Sequence, residues 1–174
     1  MSPAEPQIRL ATAADAGAVS ALLNEFSRTY LVTPTAEQAA AFFASISEPA
    51  IRALIERTDM TYVVAEAHER VPLAGAAALR SDGLLFHLFV HSSCRRQGLG
   101  RRLWESLRDR ACQAGYRGPF TVHSSLNAVP VYERFGFKVS GARLMRLGGI
   151  SVPMRLEPPS GPENHARPRG LPAQ

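Results

Sequence analysis

The densest concentration of chemistry in this 174-residue chain is the stretch RRQGLGRR, residues 95–102, where four arginines surround two glycines. Arg95, Arg96, Arg101 and Arg102 bring permanent positive charge and planar sets of donors. Gly98 and Gly100 let the backbone approach a ligand closely and adopt dihedrals closed to other residues. The stretch follows an apolar run, LLFHLFV, that is too short and too aromatic for a helix and reads as a strand buried on both faces. It precedes a segment in which Leu99, Leu103, Leu107 and Ala111 recur with Trp104 beside them, the spacing of one helix face. A helix starting there points its first unpaired amides and the positive end of its dipole into the turn, which suits a diphosphate. A P-loop needs GxxxxGK followed by Ser or Thr, and the stretch has no lysine; a dinucleotide turn needs GxGxxG, and only Gly98 and Gly100 are present. What remains is Arg-x-x-Gly-x-Gly.

That pattern resembles the coenzyme A pyrophosphate loop of the GNAT superfamily of N-acetyltransferases. SSLNAVPVYERFGF, residues 124–137, is similar to the superfamily's later motif, an Asn-Ala pair before a short helix that carries Tyr-Glu and ends in Gly-Phe. The IRLAT opening with Asp15 and the hairpin YVVAEAHERVPLAGAAALR are similar to its first strand, first helix and central strands, so the resemblance covers about residues 7–157. It implies an α/β (α+β) fold of the GNAT type, a central mixed but mostly antiparallel sheet of about six or seven strands flanked by helices. It also implies acetyl-CoA as co-substrate, no metal, and transfer to a primary amine of a small molecule or peptide by direct attack in a ternary complex. The alternative is a catalytically silent coenzyme A-binding sensor or regulatory module, against which the retained Tyr132 argues.

Such a transfer makes three demands: a neutral amine, a stabilised oxyanion, and a proton for the departing thiolate. By the resemblance Tyr132 is the general acid, and a phenol with a reference pKa of about 10 stays protonated at neutral pH. A plain packing role beside Phe135 and Phe137 is the other reading of the same side chain. The resemblance gives the backbone of Leu88, Phe89 and Val90 to the pantetheine arm and assigns Arg95, Arg96, Gln97, Gly98, Leu99, Gly100 and Arg101 to the pyrophosphate. Asn127 matches a cofactor-contacting asparagine and is equally suited to capping a helix. The general base stays open between His87, His123, Glu66 and ordered water. His91, Ser92 and Ser93 read as shaping the turn, and the resemblance forms the acceptor site from residues 24–57 and 140–152.

These residues need a scaffold, and the pattern supplies one. Residues 7–10 alternate as a short strand; Thr12 or Asp15 caps a helix with Val19, Leu22, Leu23 and Phe26 on one face, running to about Arg28. Further helices are expected from about Thr35 and over residues 49–56. Strands over 62–67 and 73–79 flank a turn at 68–72, Asp82-Gly83 marks the next turn, and Gly115 stops the long helix. Residues 120–123 form a strand, 127–135 a short helix, and the chain closes on a hairpin turning at Gly148-Gly149 with a last strand over 150–156. Phe26, Tyr30, Phe42 and Phe43 fit an acceptor pocket or simply core.

With 45% hydrophobic and 20% charged residues, residues 1–157 are expected to form one domain. Residues 158–174, PPSGPENHARPRGLPAQ, show no apolar periodicity and read as a disordered tail. The net charge of +5 is nearly all arginine, Lys138 being the only lysine, and an anionic cofactor accounts for part of it. Nucleic acid is not expected as a partner, since no helix-turn-helix, zinc or RNA-binding signature accompanies the charge. Cys94 and Cys112 make neither a disulfide framework nor a metal spacing. The first ten residues lack the pattern of a signal peptide and no run suits a membrane span, so the expected setting is the cytoplasm, with no membrane partner and a homodimer left open.

Overall fold

The structure, a computed structural model, describes residues 5–30, 34–67, 71–146 and 149–158. Its centre is a sheet of eight strands in the order β1-β2-β3-β4-β5-β8-β6, with β7 also on β8. The strands are β1 (Ile8–Leu10), β2 (Met60–Glu66), β3 (Leu73–Arg80), β4 (Leu84–Val90), β5 (Phe120–Ser125), β6 (Lys138–Val139), β7 (Leu144–Arg146) and β8 (Gly149–Leu156). The helices are α1 (Ala16–Tyr30), α2 (Ala36–Ser45), α3 (Glu48–Ile55), α4 (Leu99–Gln113) and α5 (Val129–Arg134). Every pairing is antiparallel except β4 with β5, which need the crossover through α4 to run in the same direction. The sheet exceeds the expected six or seven strands because the terminal hairpin breaks into the short β6 and β7.

Two cores sandwich the sheet. Val19, Leu22 and Leu23 of α1 and Ile51 of α3 pack with Tyr62, Val64, Ala76 and Ala78 on one face. Leu99, Leu103 and Leu107 of α4 pack with Val63, Ala77, Leu85 and Val122 on the other. β3 is small-residue backbone between two helix layers, and at Gly75 a Cβ would stand 2.8 Å from Leu103 Cδ1 and 2.9 Å from the Phe89 carbonyl oxygen. Trp104 is 1% exposed and its ring meets Phe120 at 5.0 Å and Phe137 at 5.3 Å, tying α4 to β5 and to the segment after α5.

Local chemistry explains the element ends. Thr12 begins a 3-10 turn over Ala13–Asp15, with the Asp15 carboxylate accepting from Thr12 N and Oγ1, and α1 follows at Ala16. α1 continues to Tyr30, beyond the expected Arg28. Thr35 and Gln38 satisfy each other's amides at the start of α2, the reciprocal arrangement of a capping box. Gly115 takes φ +94 after α4, as a helix stop requires. Part of the 68–72 turn, the Gly148 half of the last turn and residues 159–174 of the expected tail lie outside the described residues.

One expectation fails at the centre. β4 is not buried on both faces: Phe86 is 43% exposed, and Leu84 and His87 to Val90 are only half-buried. The cause is that β4 pairs with β5 only at Leu84↔Thr121 and Leu85↔Val122. Beyond Leu85 the two parallel strands diverge, leaving the β5-facing edge of β4 without a strand partner. On its other edge, β4 follows β3 through a bulge at Phe86, between the pairs Ala78↔His87 and Leu79↔Leu85.

Candidate active site

Three elements meet where β4 and β5 part. Gly100, in the first turn of α4, lies against the end of β4 and the end of α5: a Cβ there would be 3.6 Å from Val90 Cγ2 and 4.0 Å from Phe135 Cζ. Gly98 caps α4 in the left-handed conformation, φ +78, and a Cβ on it would meet nothing within 4 Å. The first hydrogen bond of α4 runs from Arg102 N to Gly98 O at 3.1 Å, so the amides of Leu99, Gly100 and Arg101 have no intrahelical partner. Open space in front of Gly98, three orphan amides and the positive end of a 15-residue helix make a cradle for an anion. On the unpaired edge of β4 the backbone groups of Leu88 and Val90 point away from β3, while those of Phe89 turn to β3; this edge leads to the cradle, so an extended, amide-containing chain ending in a phosphate fits the path. The concavities of about 400 and 410 Å3 lie elsewhere, near the ends of β6 and β8 and beside the start of α5.

The arginines do not all converge on the cradle. Arg95 lies with its guanidinium 4.5 Å over the Phe26 ring and its Nε 3.4 Å from the Val90 carbonyl. Arg102 turns back to the Pro6 carbonyl and Glu5. Arg101 donates to the Arg134 carbonyl at 2.6 Å. Arg96, in the left-handed region at φ +64, is exposed and makes no side-chain hydrogen bond or ion pair with a described residue. Gln97 reaches back to the Ser93 carbonyl at 3.4 Å. The expectation of a four-arginine cluster therefore gives way to a cradle of backbone amides with Arg96 beside it, because carbonyls, carboxylates and one aromatic face draw the other three away.

Tyr132 sits on α5, 7% exposed, with Phe135 at 6.1 Å and Phe137 at 5.8 Å. These contacts are those of the packing reading. Its hydroxyl makes no hydrogen bond with a described residue, and burial pushes the phenol well above its ordinary 10, which keeps it protonated. Asn127 is exposed and lies inside a 3-10 turn, Leu126–Ala128, that feeds α5. It is not the cap, because Ala128 occupies that position and already has helical dihedrals.

The three candidate bases sit in unlike surroundings. Glu66 is held by Arg9 Nε at 2.6 Å, and the same guanidinium makes a two-pronged contact with Asp15. The Arg9 contact holds Asp15 at about 2. His123 is exposed on β5, opposite Pro153. His87 Nδ1 lies 2.9 Å from the Tyr62 hydroxyl, with the rings of Phe86 and Phe89 at 4.7 and 5.6 Å. Burial pushes its imidazole down to about 4, so it is neutral and weakly basic at pH 7.

Sequence reasoning missed the contacts that bind α1 to the loop between β4 and α4. Glu25 accepts from Ser92 N at 3.3 Å and lies 3.4 Å from His91 Nε2, while Phe26 underlies Arg95 and touches Phe89 at 5.5 Å. Nothing local in the sequence marks pairs nearly seventy positions apart. The expected role of His91 and Ser93 in shaping the turn is visible in the His91 Nδ1 to Ser93 Oγ contact of 2.8 Å and in the Ser93 amide donating to the same nitrogen.

The chain belongs to the GNAT acetyltransferase family: the family model for the acetyltransferase (GNAT) domain matches residues 30–158. No curated protein matches the sequence. Among solved structures, the PaiA N-acetyltransferase of Thermoplasma acidophilum in complex with coenzyme A is similar at TM-score 0.72 and 16% identity, over 88% of this chain and 99% of that one. A GCN5-related N-acetyltransferase from Rhodopseudomonas palustris is similar at TM-score 0.70 and 19% identity, over 90% and 98%. A phosphinothricin acetyltransferase from Sinorhizobium meliloti in complex with acetyl-CoA is similar at TM-score 0.60 and 19% identity, over 88% and 90%. At these identities the likeness establishes the fold.

Proposed function

We propose that this protein is an acetyl-CoA-dependent N-acetyltransferase acting on a primary amine of a small molecule or peptide, by direct attack in a ternary complex. The observation that carries the reading is the parting of β4 from β5 beside the start of α4. In this reading the free strand edge takes a pantetheine arm, the amide cradle takes a pyrophosphate, and α5, whose Phe135 lies beside Gly100, contributes the phenol of Tyr132. Membership of the acetyltransferase family and the coenzyme A-containing neighbours support the same assignment.

In this reading Leu88 and Val90 pair through their backbone with the pantetheine amides, while Phe89 between them holds the strand to β3. Leu99, Gly100 and Arg101 donate their amides to the pyrophosphate, with Gly98 shaping the turn and Arg96 adding charge. Asn127 lies exposed at the approach to α5, where its side chain is available to the cofactor. The acceptor amine attacks the thioester carbonyl as a neutral nucleophile and loses its proton to ordered water or to His123, because Glu66 is committed to Arg9 and the His87 imidazole is too weakly basic. Tyr132 gives its proton to the departing thiolate, and the proton released by the amine returns through water to the phenolate.

Steady-state turnover of acetyl-CoA against a panel of amines, amino acids and peptide N-termini tests the reading, with Tyr132→Phe as the comparison. Phenylalanine keeps the ring packing and removes only the hydroxyl, so kcat and kcat/KM should fall together by about 100-fold with the acetyl-CoA KM little changed. A chain that binds coenzyme A yet turns over no amine is the silent sensor instead. Full activity in Tyr132→Phe, with chemistry rate-limiting, removes the tyrosine from the mechanism.

A further inference from the structure

The Arg-Gly turn contains a residue whose side chain faces away from the cradle. Arg101 is the third residue of α4, and its guanidinium crosses to α5, where Nη2 donates to the Arg134 carbonyl at 2.6 Å. The same guanidinium lies 5.1 Å from the centroid of the Phe135 ring, and Phe135 in turn meets Tyr132 edge-on at 6.1 Å. Glu105, one turn along α4, holds Arg101 from behind at 3.8 Å. α5 is only six residues long, and a helix of that length is not stable by itself. The Tyr132 and Glu133 carbonyls accept from the amides of Phe135, Gly136 and Phe137, and a cation on the Arg134 carbonyl satisfies that acceptor and complements the negative end of the helix.

We infer that Arg101 is a positioning residue: it clamps the C-terminal end of α5 and so sets where Tyr132 presents its hydroxyl, and its guanidinium is not a pyrophosphate ligand. The inference rests on the reading of Tyr132 as proton donor. It links the two halves of the site physically, because the residue that donates its amide at the cradle fixes the acid with its side chain. A planar guanidinium suits both contacts, hydrogen bond and ring face, in a way a point charge does not.

The experiment is a double-mutant cycle of Arg101→Ala and Tyr132→Phe in the full chain, with coenzyme A affinity by calorimetry and kcat at saturation. It is joined by fluorine NMR of protein carrying 3-fluorotyrosine, whose four tyrosines are assigned by single Tyr→Phe changes. A clamp predicts that Arg101→Ala lowers kcat by about tenfold or more, changes coenzyme A affinity by less than about twofold, costs little further in the Tyr132→Phe background, and shifts or broadens the Tyr132 signal. Phe135→Leu, which removes the ring under the guanidinium and keeps the charge, should lower kcat in the same way. It serves as the second variant if Arg101→Ala does not fold. Coenzyme A affinity reduced about tenfold at unchanged kcat makes Arg101 a phosphate ligand and overturns the inference. Equal losses of kcat in both backgrounds, or an unmoved Tyr132 signal, overturn it as well. Full turnover in Tyr132→Phe overturns the proton-donor reading instead, and the Tyr132 signal in Arg101→Ala then decides alone whether Arg101 orients the ring.

Discussion

His87 shows how one side chain's surroundings decide its chemistry. Its reference pKa invites the role of base, but Tyr62 and Phe89 close around the ring and hold it neutral. Because its folded pKa of about 4 lies below the ordinary 6.5, the unfolded chain binds more protons between those values. The stability it contributes is therefore complete above pH 6.5, falls as the pH drops towards 4, and levels off below that. For a half-buried ring the loss should be about 1 to 3 kcal/mol. His87→Asn should flatten urea-unfolding stability across that window relative to the parent, and an equally steep decline in the variant would place the acid sensitivity elsewhere. Which residues were chemical candidates was legible in the sequence; their surroundings were not. Tyr62 is 25 positions from His87, and the Arg9 contacts that claim Glu66 and Asp15 cross from β1 to β2 and to the following turn. The arginine count of the turn was equally plain, while the carbonyls at Pro6 and Arg134 that draw two of those arginines away carry no sequence signal.

Among the elements, β4 shows a limit of reading polarity alone. An apolar run looks the same whether its neighbours are protein or ligand, so LLFHLFV read as a doubly buried strand although β5 covers only its first two residues. The order of strands and helices was readable because hydrophobic period and turn residues are local signals: the Thr35 cap, the Asp82-Gly83 turn and the Gly115 stop all fall where expected. Asn127 misled as a cap because a 3-10 turn leads into α5, a distinction of dihedrals rather than residue type. The first turn of α4 makes the sharpest claim of this kind. Since a Cβ at Gly100 has ordinary contact distances to Val90 and Phe135, Gly100→Val should fold, while its branches intrude into the space proposed for the pyrophosphate. Calorimetry should find coenzyme A affinity reduced at least about tenfold while the melting temperature moves by only a few degrees, as fits a change of about 1 kcal/mol in stability. Unchanged affinity in a folded variant would mean that the cradle holds something else.

For the molecule as a whole, a ligand lying along β4 and bonded to the start of α4 should raise stability by mass action. Coenzyme A at about 100 times its dissociation constant should add roughly 2.7 kcal/mol, and no thermal shift at millimolar ligand would remove the cofactor assignment. Among the described residues no helix is long and apolar enough to cross a membrane. Trp104 gives this experiment a built-in optical probe. It is the chain's single tryptophan, and it stands at the joint between the strands that precede α4 and those that follow it. Its emission therefore reports whether residues 120–156 remain docked, whereas circular dichroism averages over every helix. If the joint opens before the rest melts, the emission maximum moves to the red at a lower temperature than the ellipticity changes, and a bound ligand should bring the two curves together.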